Sequence, residues 1–366
     1  MPSDAAVSQL DRHFSPDYAT ARERFRRAAA AAGAQIDSLA LSARGPADEP
    51  LTIDIAWLGA AHARRVLLHT SGIHGVEAYA GSAVQLALLD QPPELSAGNA
   101  LALVHVLNPY GMAWLRRANE ANVDLNRNFL GTGETWSGAP PLYATLDPLL
   151  NAKAPPRPDA FLLRMLMLAS RHGYRPVKQA IAQGQYDFPR GLFYGGAQLE
   201  AGPRLFLDWL ERRVSTAKTV LAIDVHTGLG RWARDTLFAE PGRDTPQGLA
   251  AALGSALVDT HVDPSAAYPI HGALAQGIRA TLGARVAHCV LQEFGTYSIL
   301  KVISALRDEN RWHFYGTRDP RHPVKIALQE ALCPASPSWR NRVVARGTAA
   351  ARGGMKWLTQ QERDDL

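Results

Sequence analysis

The spacing of hydrophobic residues near the start of the chain predicts a helix. Between the Ser-Pro-Asp of residues 15–17 and Gly33, apolar residues recur on one helical face: Tyr18, Ala21, Phe25 and Ala28. Ser or Asp before a helix and Gly after it are the usual capping residues. We expect the arginines of this helix to lie on a solvated face: Arg22, Arg24, Arg26 and Arg27.

Two segments that follow alternate apolar and polar residues. They are DSLALSA (37–43) and LTIDIAWL (51–58), and the turn-forming cluster from Gly45 to Pro50 separates them. Period-two alternation on both sides of a turn is typical of an antiparallel hairpin. We expect this hairpin to form a half-exposed edge.

Further along, the pattern changes to short continuous apolar runs. These runs are RVLLHTSG, ALALVHVLNP, TVLAIDVHTG and ARVAHCVLQEFG, and helical stretches such as SAVQLALL and GLAAALGSAL separate them. Buried strands that alternate with helices indicate an α/β layer fold with a largely parallel sheet. The sequence therefore predicts the α/β class.

No repeat period and no break in composition divides the chain, so we expect one domain over residues 1–366, with an N-terminal helix within residues 1–35. Residues 131–158 are rich in Gly and Pro, and a helix is expected near residues 159–171. Long loops are usually functional or mobile, so residues 131–200 could be an insertion or lid over a site, or an oligomer contact. Residues 307–366 are expected to form a helical tail.

Composition narrows the class of protein. The 366 residues are 46% hydrophobic and 20% charged with a net charge of +5, which excludes disordered, collagen-like and coiled-coil chains. The charge is spread along the chain and gives no argument for nucleic acid. Only Cys289 and Cys333 occur, with no CxxC, so no disulfide framework is expected and a cytoplasmic location is the simplest. No secretory signal and no apolar run of ~18 residues is visible, which favours a soluble protein without a membrane partner.

Polar residues follow each of the four buried runs. They are His74 and Glu77, Arg117 and Asp124 to Arg127, His226, and Glu293. The carboxyl ends of parallel strands gather ligand sites at one edge of a sheet. Zinc in catalytic sites is held by sets such as His, Glu and His with one position open. The three-residue spacing of His74 and Glu77 puts both side chains on one side of a helical turn. We therefore predict a metal site with a clamp for a carboxylate.

The motifs DLNRNF (124–129), NPYG (108–111), HTGLG and EFGTY occur in this order along the chain. Together they resemble the zinc metallocarboxypeptidase family, the carboxypeptidase A-like enzymes. The stretch RANEANVDLNRNF is similar to bacterial murein-peptide amidases of that family, and SGIHGVEAYAGSAVQ and EFGTY resemble another bacterial branch. The resemblance runs from about Ile36 to Tyr297. It implies a three-layer α/β/α sandwich with a mixed, largely parallel sheet of about eight strands.

The resemblance also implies roles for single residues. Its zinc ligands would be His74, Glu77 and His226, with Asp124 accepting a hydrogen bond from His74. Asn126 and Arg127 would grip the free carboxylate of the substrate. Arg117 would stabilise the oxyanion, although Arg116 is beside it and leaves this assignment open. Glu293 would be the general base, and Tyr268, 25 positions before it, would be the mobile tyrosine of the family.

These roles imply hydrolysis of an amide bond next to a free carboxylate, as in a carboxypeptidase or peptide amidase, with one Zn²⁺. Zinc lowers the pKa of its water from 15.7 to roughly 7, so a nearby carboxylate can take a proton from it. The substrate would be a small peptide or an acyl amino acid. Two alternatives stay open: an N-acyl amino acid deacylase of the aspartoacylase or succinylglutamate desuccinylase type, and a non-catalytic carboxylate-binding relative. Asp224 could support His226 or be structural, and His69 and His105 are expected to be core histidines.

Overall fold

A computed structural model describes residues 12–239, 248–254, 257–259, 270–283, 285–317 and 319–364. Its strands are β1 (Gln35–Arg44), β2 (Pro50–Gly59), β3 (Arg65–Ser71), β4 (Asn99–His105), β5 (Thr219–Gly228), β6 (Asp235–Ala239), β7 (Leu257–Asp259) and β8 (Val286–Gly295). Its helices are α1 (Tyr18–Ala31), α2 (Ala78–Asp90), α3 (Pro109–Ala113), α4 (Tyr143–Leu150), α5 (Phe161–His172), α6 (Tyr174–Ala182), α7 (Ala201–Arg213), α8 (Leu249–Ala252), α9 (Leu274–Leu282), α10 (Ile299–Tyr315), α11 (Pro323–Leu332) and α12 (Pro337–Asp364). Single 3₁₀ turns span Gly75–Glu77 and Leu125–Arg127.

The strands form one eight-stranded mixed sheet in the order β1-β2-β4-β3-β5-β8-β6-β7. The four predicted buried runs are the central strands β4, β3, β5 and β8, and each is parallel to its neighbour. The outer pairs β1/β2, β2/β4 and β6/β8 are antiparallel. Central strands covered on both faces need no polar alternation, which is why they occur as continuous apolar runs.

Helices cover both faces of the sheet. On one face, Leu101 and Leu103 pack in a cluster that includes residues of α1, α2 and α12. On the other face, Ala100 and Ala102 pack with residues of α7 and α9. Successive side chains of a strand point to opposite faces, so the two clusters divide each strand between them. The predicted three-layer α/β/α sandwich is confirmed.

Helix α1 begins as predicted, with Asp17 accepting from the backbone N–H of Thr20. Its buried face ends at Ala29 instead of Ala28. The expectation that its arginines are merely solvated is wrong for three of them, since Nη1 of Arg24 donates to the carbonyl of Phe14 and the hydroxyl of Ser15. Nε of Arg22 lies 2.8 Å and Nη1 of Arg26 lies 3.1 Å from the carboxylate of Asp54, whose side chain is fully buried in β2. A buried carboxylate requires cationic partners, and α1 supplies them.

The predicted hairpin is β1 and β2, paired antiparallel. Only β1 is a half-exposed edge. Strand β2 is buried along nearly its whole length, because it also pairs with β4 and lies between the helical layers. The expected half-exposure is therefore wrong for β2.

The C-terminal segment is more than a docked tail. Trp339, Val343 and Met355 of α12 belong to the main core beside the sheet, so this helix forms part of one layer of the sandwich. Helices α4, α5 and α6 pack with α10 and α11 in a third hydrophobic cluster. Within the described part of the chain, no helix is both long enough and apolar enough to cross a membrane.

Candidate metal centre

The predicted site residues gather at the carboxyl edge of the central strands. His226 lies near the end of β5, and Glu293 lies directly opposite it in the register of β5 and β8. His74 and Glu77 follow β3, and the loop after β4 carries Arg117 and Asp124. Adjacent parallel strands end at the same edge of a sheet, so residues far apart in sequence meet there.

A single 3₁₀ turn brings His74 and Glu77 together. Residues three apart in a 3₁₀ turn eclipse one another, so both side chains face the same way, as the spacing predicted. Position 75 requires glycine, because a Cβ there would collide with the backbone of Gly111 in α3. The backbone N–H groups of Gly75 and Val76 donate to the carbonyls of Arg117 and Arg116, which ties the turn to the loop that carries Arg117.

His74, Glu77 and His226 are buried and each offers a ligand atom within 4.8 Å of the others. Nδ1 of His74 lies 3.0 Å from Oε1 of Glu77, and Nδ1 of His226 lies 3.6 Å from Oε2 of Glu77. The two imidazole rings meet edge to face, with centroids 4.9 Å apart. The same nitrogen of both rings therefore faces the glutamate.

The other ring nitrogen of each histidine faces an aspartate. Nε2 of His74 lies 3.1 Å from Oδ1 of Asp124, and Nε2 of His226 lies 2.6 Å from Oδ2 of Asp224. The hydroxyl of Thr70 donates to the second oxygen of Asp224. A carboxylate behind a histidine holds the hydrogen on that nitrogen and leaves the opposite nitrogen as a lone-pair donor. Asp224, which the sequence left open, thus contacts His226 as Asp124 contacts His74.

The centre favours positive charge. Burial by itself would raise the pKa of Glu77, but His74, Arg117 and His226 outweigh it and bring the pKa to about 2. Burial likewise opposes ionisation of Asp124, but Arg117, Arg127 and His74 hold its pKa well below the ordinary value. Burial disfavours a charged His226, yet Asp224 and Glu77 outweigh it and raise its pKa to about 9. Carboxylates around the two imidazoles therefore stabilise a cation between them.

Glu293 is buried beside this centre but is not one of the three converging groups. Its Oε1 accepts a hydrogen bond of 2.8 Å from the backbone N–H of Leu229. Gly228 has a φ of +139°, a conformation that favours glycine, and it directs the chain so that Leu229 reaches Glu293. Burial raises the pKa of Glu293 to about 7, and the charge of Glu77 adds to this against the opposing pull of His226.

The structure separates the two neighbouring arginines. Arg117 lies in the centre: Nη1 is 3.0 Å from Oε1 of Glu77, Nε is 2.9 Å from Oδ2 of Asp124, and Nη2 is 2.7 Å from Nε2 of His74. Arg116 is fully buried elsewhere and donates to Glu309 and Asn122. Of these two arginines, only Arg117 lines the cavity at the centre.

Asn126 and Arg127 also line this cavity, but the guanidinium of Arg127 is already engaged. It donates to the carbonyls of Ala182, at the end of α6, and of Asn126. Three of its five N–H groups are thereby directed at the backbone, and no pattern in the sequence indicates this contact. Tyr268, the expected mobile tyrosine, lies outside the described residues.

His69 and His105 are buried core residues, as expected. Nε2 of His105 lies 2.9 Å from the hydroxyl of Ser82, and its ring stacks on Phe25 at a centroid distance of 4.4 Å. Nδ1 of His69 lies 3.3 Å from the amide nitrogen of Gln85. Neither belongs to the group of converging ligand atoms.

The residues present fit a metal ion. Within the described part of the chain, Nδ1 of His74 is a buried nitrogen that makes no hydrogen bond of good geometry, and it lies 3.0 Å from the carboxylate of Glu77. Two imidazole nitrogens and one carboxylate are a donor set of zinc sites that keep a coordination position open. The group His74, Glu77 and His226 is thus compatible with a metal site.

Solved structures are similar to this chain at low sequence identity. Bovine thrombin-activatable fibrinolysis inhibitor, in complex with tick carboxypeptidase inhibitor, matches with a TM-score of 0.51 and 10% identity over 95% of this chain and 98% of that chain. Carboxypeptidase A from Helicoverpa armigera matches with a TM-score of 0.45 and 15% identity over 91% and 73%. The murein-tripeptide amidase MpaA from Escherichia coli O157 matches with a TM-score of 0.37 and 18% identity over 76% and 92%. At these identities the first match shows a carboxypeptidase-like fold and nothing further.

A search of curated proteins finds no match. The model of the family described as "Protein of unknown function (DUF2817)" matches residues 14–346. This match spans most of the chain, and the protein therefore belongs to the DUF2817 family.

Proposed function

We propose that the protein is a zinc-dependent hydrolase that cleaves an amide bond next to a free carboxylate. The observation that carries this proposal is that three buried groups converge as metal ligands while a fourth buried group, a carboxylate, stays apart from them. His74, Glu77 and His226 converge as ligands, while Glu293 is a separate carboxylate on the same cavity with its pKa raised to about 7. A structural metal site has no need of an additional carboxylate poised near neutral pH.

His74, Glu77 and His226 would hold the ion. A zinc ion bound there supplies a Lewis acid for a carbonyl oxygen and lowers the pKa of water. With the ion bound, Asp124 and Asp224 would accept from Nε2 of the two histidines, which leaves both Nδ1 atoms as lone-pair donors. Nη2 of Arg117, 2.7 Å from Nε2 of His74, would then turn away from it, because both groups are donors.

Glu293 would act as general base and then as general acid. The N–H of Leu229 occupies Oε1, which leaves Oε2 to take a proton from water as the oxygen adds to the amide carbon. Glu293 then gives this proton to the nitrogen, the carbon–nitrogen bond breaks, and a carboxylic acid and an amine are released. A pKa near 7 suits both directions of transfer at neutral pH.

Three side chains would bind the substrate: Arg117, Asn126 and Arg127. Arg117 lies against Glu77 and Asp124, so its charge is available to the carbonyl oxygen as negative charge develops on it. Arg127 retains two N–H groups beyond those that donate to Ala182 and Asn126, and these are its means of binding a free carboxylate.

The test compares Glu293→Gln with the wild type. We expect about one metal ion per chain in both proteins by elemental analysis, and a loss of turnover of about 100-fold or more in the variant. The substrates are a panel of dipeptides, murein peptides and N-acyl amino acids with products resolved by mass. Glu211→Gln, an exposed site on α7, is the matched control and should keep full activity.

Two outcomes would contradict the proposal. Turnover retained by metal-loaded Glu293→Gln would remove Glu293 from the reaction. Metal-loaded wild-type protein that binds members of the panel but cleaves none would instead favour a non-catalytic carboxylate-binding relative.

A further inference from the structure

The cavity at the candidate metal centre extends far beyond the ligands. Its volume is about 620 Å³. His74, His226, Glu77, Glu293, Arg117 and Arg127 line it, and much of the remaining lining is aliphatic. Helices α5, α6 and α10 supply one side of this wall: Met165, Ala169, Val177, Ile181, Val302 and Leu306.

This apolar wall is part of a packed hydrophobic cluster. Met165, Val177 and Ile181 are each buried with side chains of α10 and α11. Packing of this cluster therefore keeps the cavity wall in place, and a ligand would bind to a surface that is already formed. Arg127 fixes one end of α6 to the metal centre through the carbonyl of Ala182, so the apolar wall and the reacting groups are directly connected.

The mouth of the cavity is apolar and basic. Leu166 and Tyr174 line the cavity and are 58% and 57% exposed, and Leu300 on the α10 side is 39% exposed. Lys178 of α6 and Arg279 of α9 also line the cavity. An apolar opening with positive charge around it favours a molecule that joins a hydrocarbon chain to an anionic group.

The size of the cavity favours a chain over an amino-acid side chain. At about 30 Å³ for a water-sized group, 620 Å³ has room for about twenty such groups. This exceeds what one amino-acid side chain fills, and the aliphatic lining favours a hydrocarbon chain over a peptide of the same size.

We propose that the substrate is a long-chain N-acyl amino acid, with the acyl chain between α5, α6 and α10 and the amide beside Glu77 and Glu293. This proposal rests on the proposed hydrolase function. Water adds to the acyl carbon and the bond from that carbon to nitrogen breaks. The carbon keeps the hydroxyl, the nitrogen takes the proton, and the products are a fatty acid and a free amino acid.

Binding is measured separately from turnover. N-acetyl-, N-hexanoyl- and N-dodecanoyl-alanine are titrated calorimetrically into Glu293→Gln, each below its micellar concentration. We expect the Kd to fall by up to about fourfold per methylene, and by more than 100-fold between the shortest and longest ligand. In wild-type protein kcat/KM should rise in the same order.

Ala169→Trp tests the position of the chain. Ala169 is half-buried and lines the cavity, whereas the adjacent Ser170 is exposed and does not, so Ser170→Trp is the matched control. We expect Ala169→Trp to bind the dodecanoyl ligand at least 10-fold more weakly, with N-acetyl-alanine unaffected and Ser170→Trp unchanged. Leu300→Trp, on α10, provides a second obstruction if Ala169→Trp does not fold.

Different results would contradict the long-chain substrate and the hydrolase function. Cleavage with equal Kd and kcat/KM across the three chain lengths, or a preference for dipeptides, would overturn the long-chain substrate and leave the hydrolase intact. Tighter binding with chain length but no cleavage of any member would overturn the hydrolase, while the obstruction by Trp would still locate the chain.

Discussion

At the scale of single residues, the site depends on which nitrogen of each histidine faces the centre. Asp124 and Asp224 lie behind His74 and His226 at hydrogen-bonding distance, and both leave Nδ1 toward Glu77. The arrangement is the same for two histidines that come from different elements. The sequence indicated Asp124 only through a family resemblance, but Asp224 lies two residues before His226 on one face of β5, which was a visible signal.

We expect Asp224→Ala to weaken metal affinity by about 10- to 100-fold, because His226 loses the carboxylate that orients it. The measurement is competition with a chelator of known affinity. Thr70→Val removes only the hydroxyl that donates to Asp224 and should cause a smaller loss. Asp208→Ala, on the exposed side of α7, is the control, and affinity in Asp224→Ala equal to that control would contradict the role.

At the scale of elements, long-range charge contacts were the least predictable features. Asp54 occupies a polar position in an alternating strand, so the sequence pattern predicts that its side chain faces solvent. Because α1 covers that face of β2, the carboxylate is fully buried and Arg22 and Arg26 neutralise it. The arginines of α1 are indistinguishable from solvated ones until the partner strand is known.

Asp54→Ala should lower the free energy of unfolding by about 2 kcal/mol, since it removes the shared partner of two arginines that still reach water. The measurement is the denaturation midpoint in urea. Glu23→Ala changes an exposed carboxylate on α1 and is expected to cause no measurable change. Equal midpoints for the two variants would show that α1 is held by apolar packing alone.

The central strands, by contrast, were fully visible in the sequence. A continuous apolar run arises only where both faces are covered, so β3, β4, β5 and β8 and their parallel arrangement followed from the pattern. Their polar ends predicted the location of the site. The engagement of Arg127 by Ala182 was not predictable, because it depends on how α6 packs against a loop more than fifty residues earlier in the chain.

At the scale of the whole molecule, the layers are completed by segments whose sequence pattern is weak. Helix α12 is rich in Arg and Ala, and only its packing against α2 and the sheet shows that it belongs to the core. The same is true of α4, α5 and α6, whose apolar residues form a separate cluster with α10 and α11. The pairing of such helices is set by tertiary contacts and not by local pattern.

Stability should fall as the pH is lowered through the range of two core histidines. Burial lowers the pKa of both His69 and His105 to about 4 from an ordinary value of 6.5. Below pH 6.5 the unfolded chain takes up protons that the folded chain excludes, so folding loses up to about 3 kcal/mol per histidine between pH 6.5 and 4.

His105→Gln should reduce this loss by about 2 kcal/mol between pH 7 and pH 5, measured as the difference in unfolding free energy at the two values. His62→Gln, at an exposed loop position, should leave the pH dependence of the wild type intact. The same slope in His105→Gln as in wild type would show that His105 is protonated equally in both states.

In the proposed hydrolase, His74, Glu77 and His226 hold one ion through the two Nδ1 atoms. The most direct test is anomalous diffraction at the zinc edge from crystals of the zinc-loaded protein. We expect one peak per chain, about 2.0 to 2.1 Å from Nδ1 of both histidines and about 2.0 to 2.2 Å from an oxygen of Glu77. A peak bound through Nε2, or one bound to residues other than these three, would contradict it.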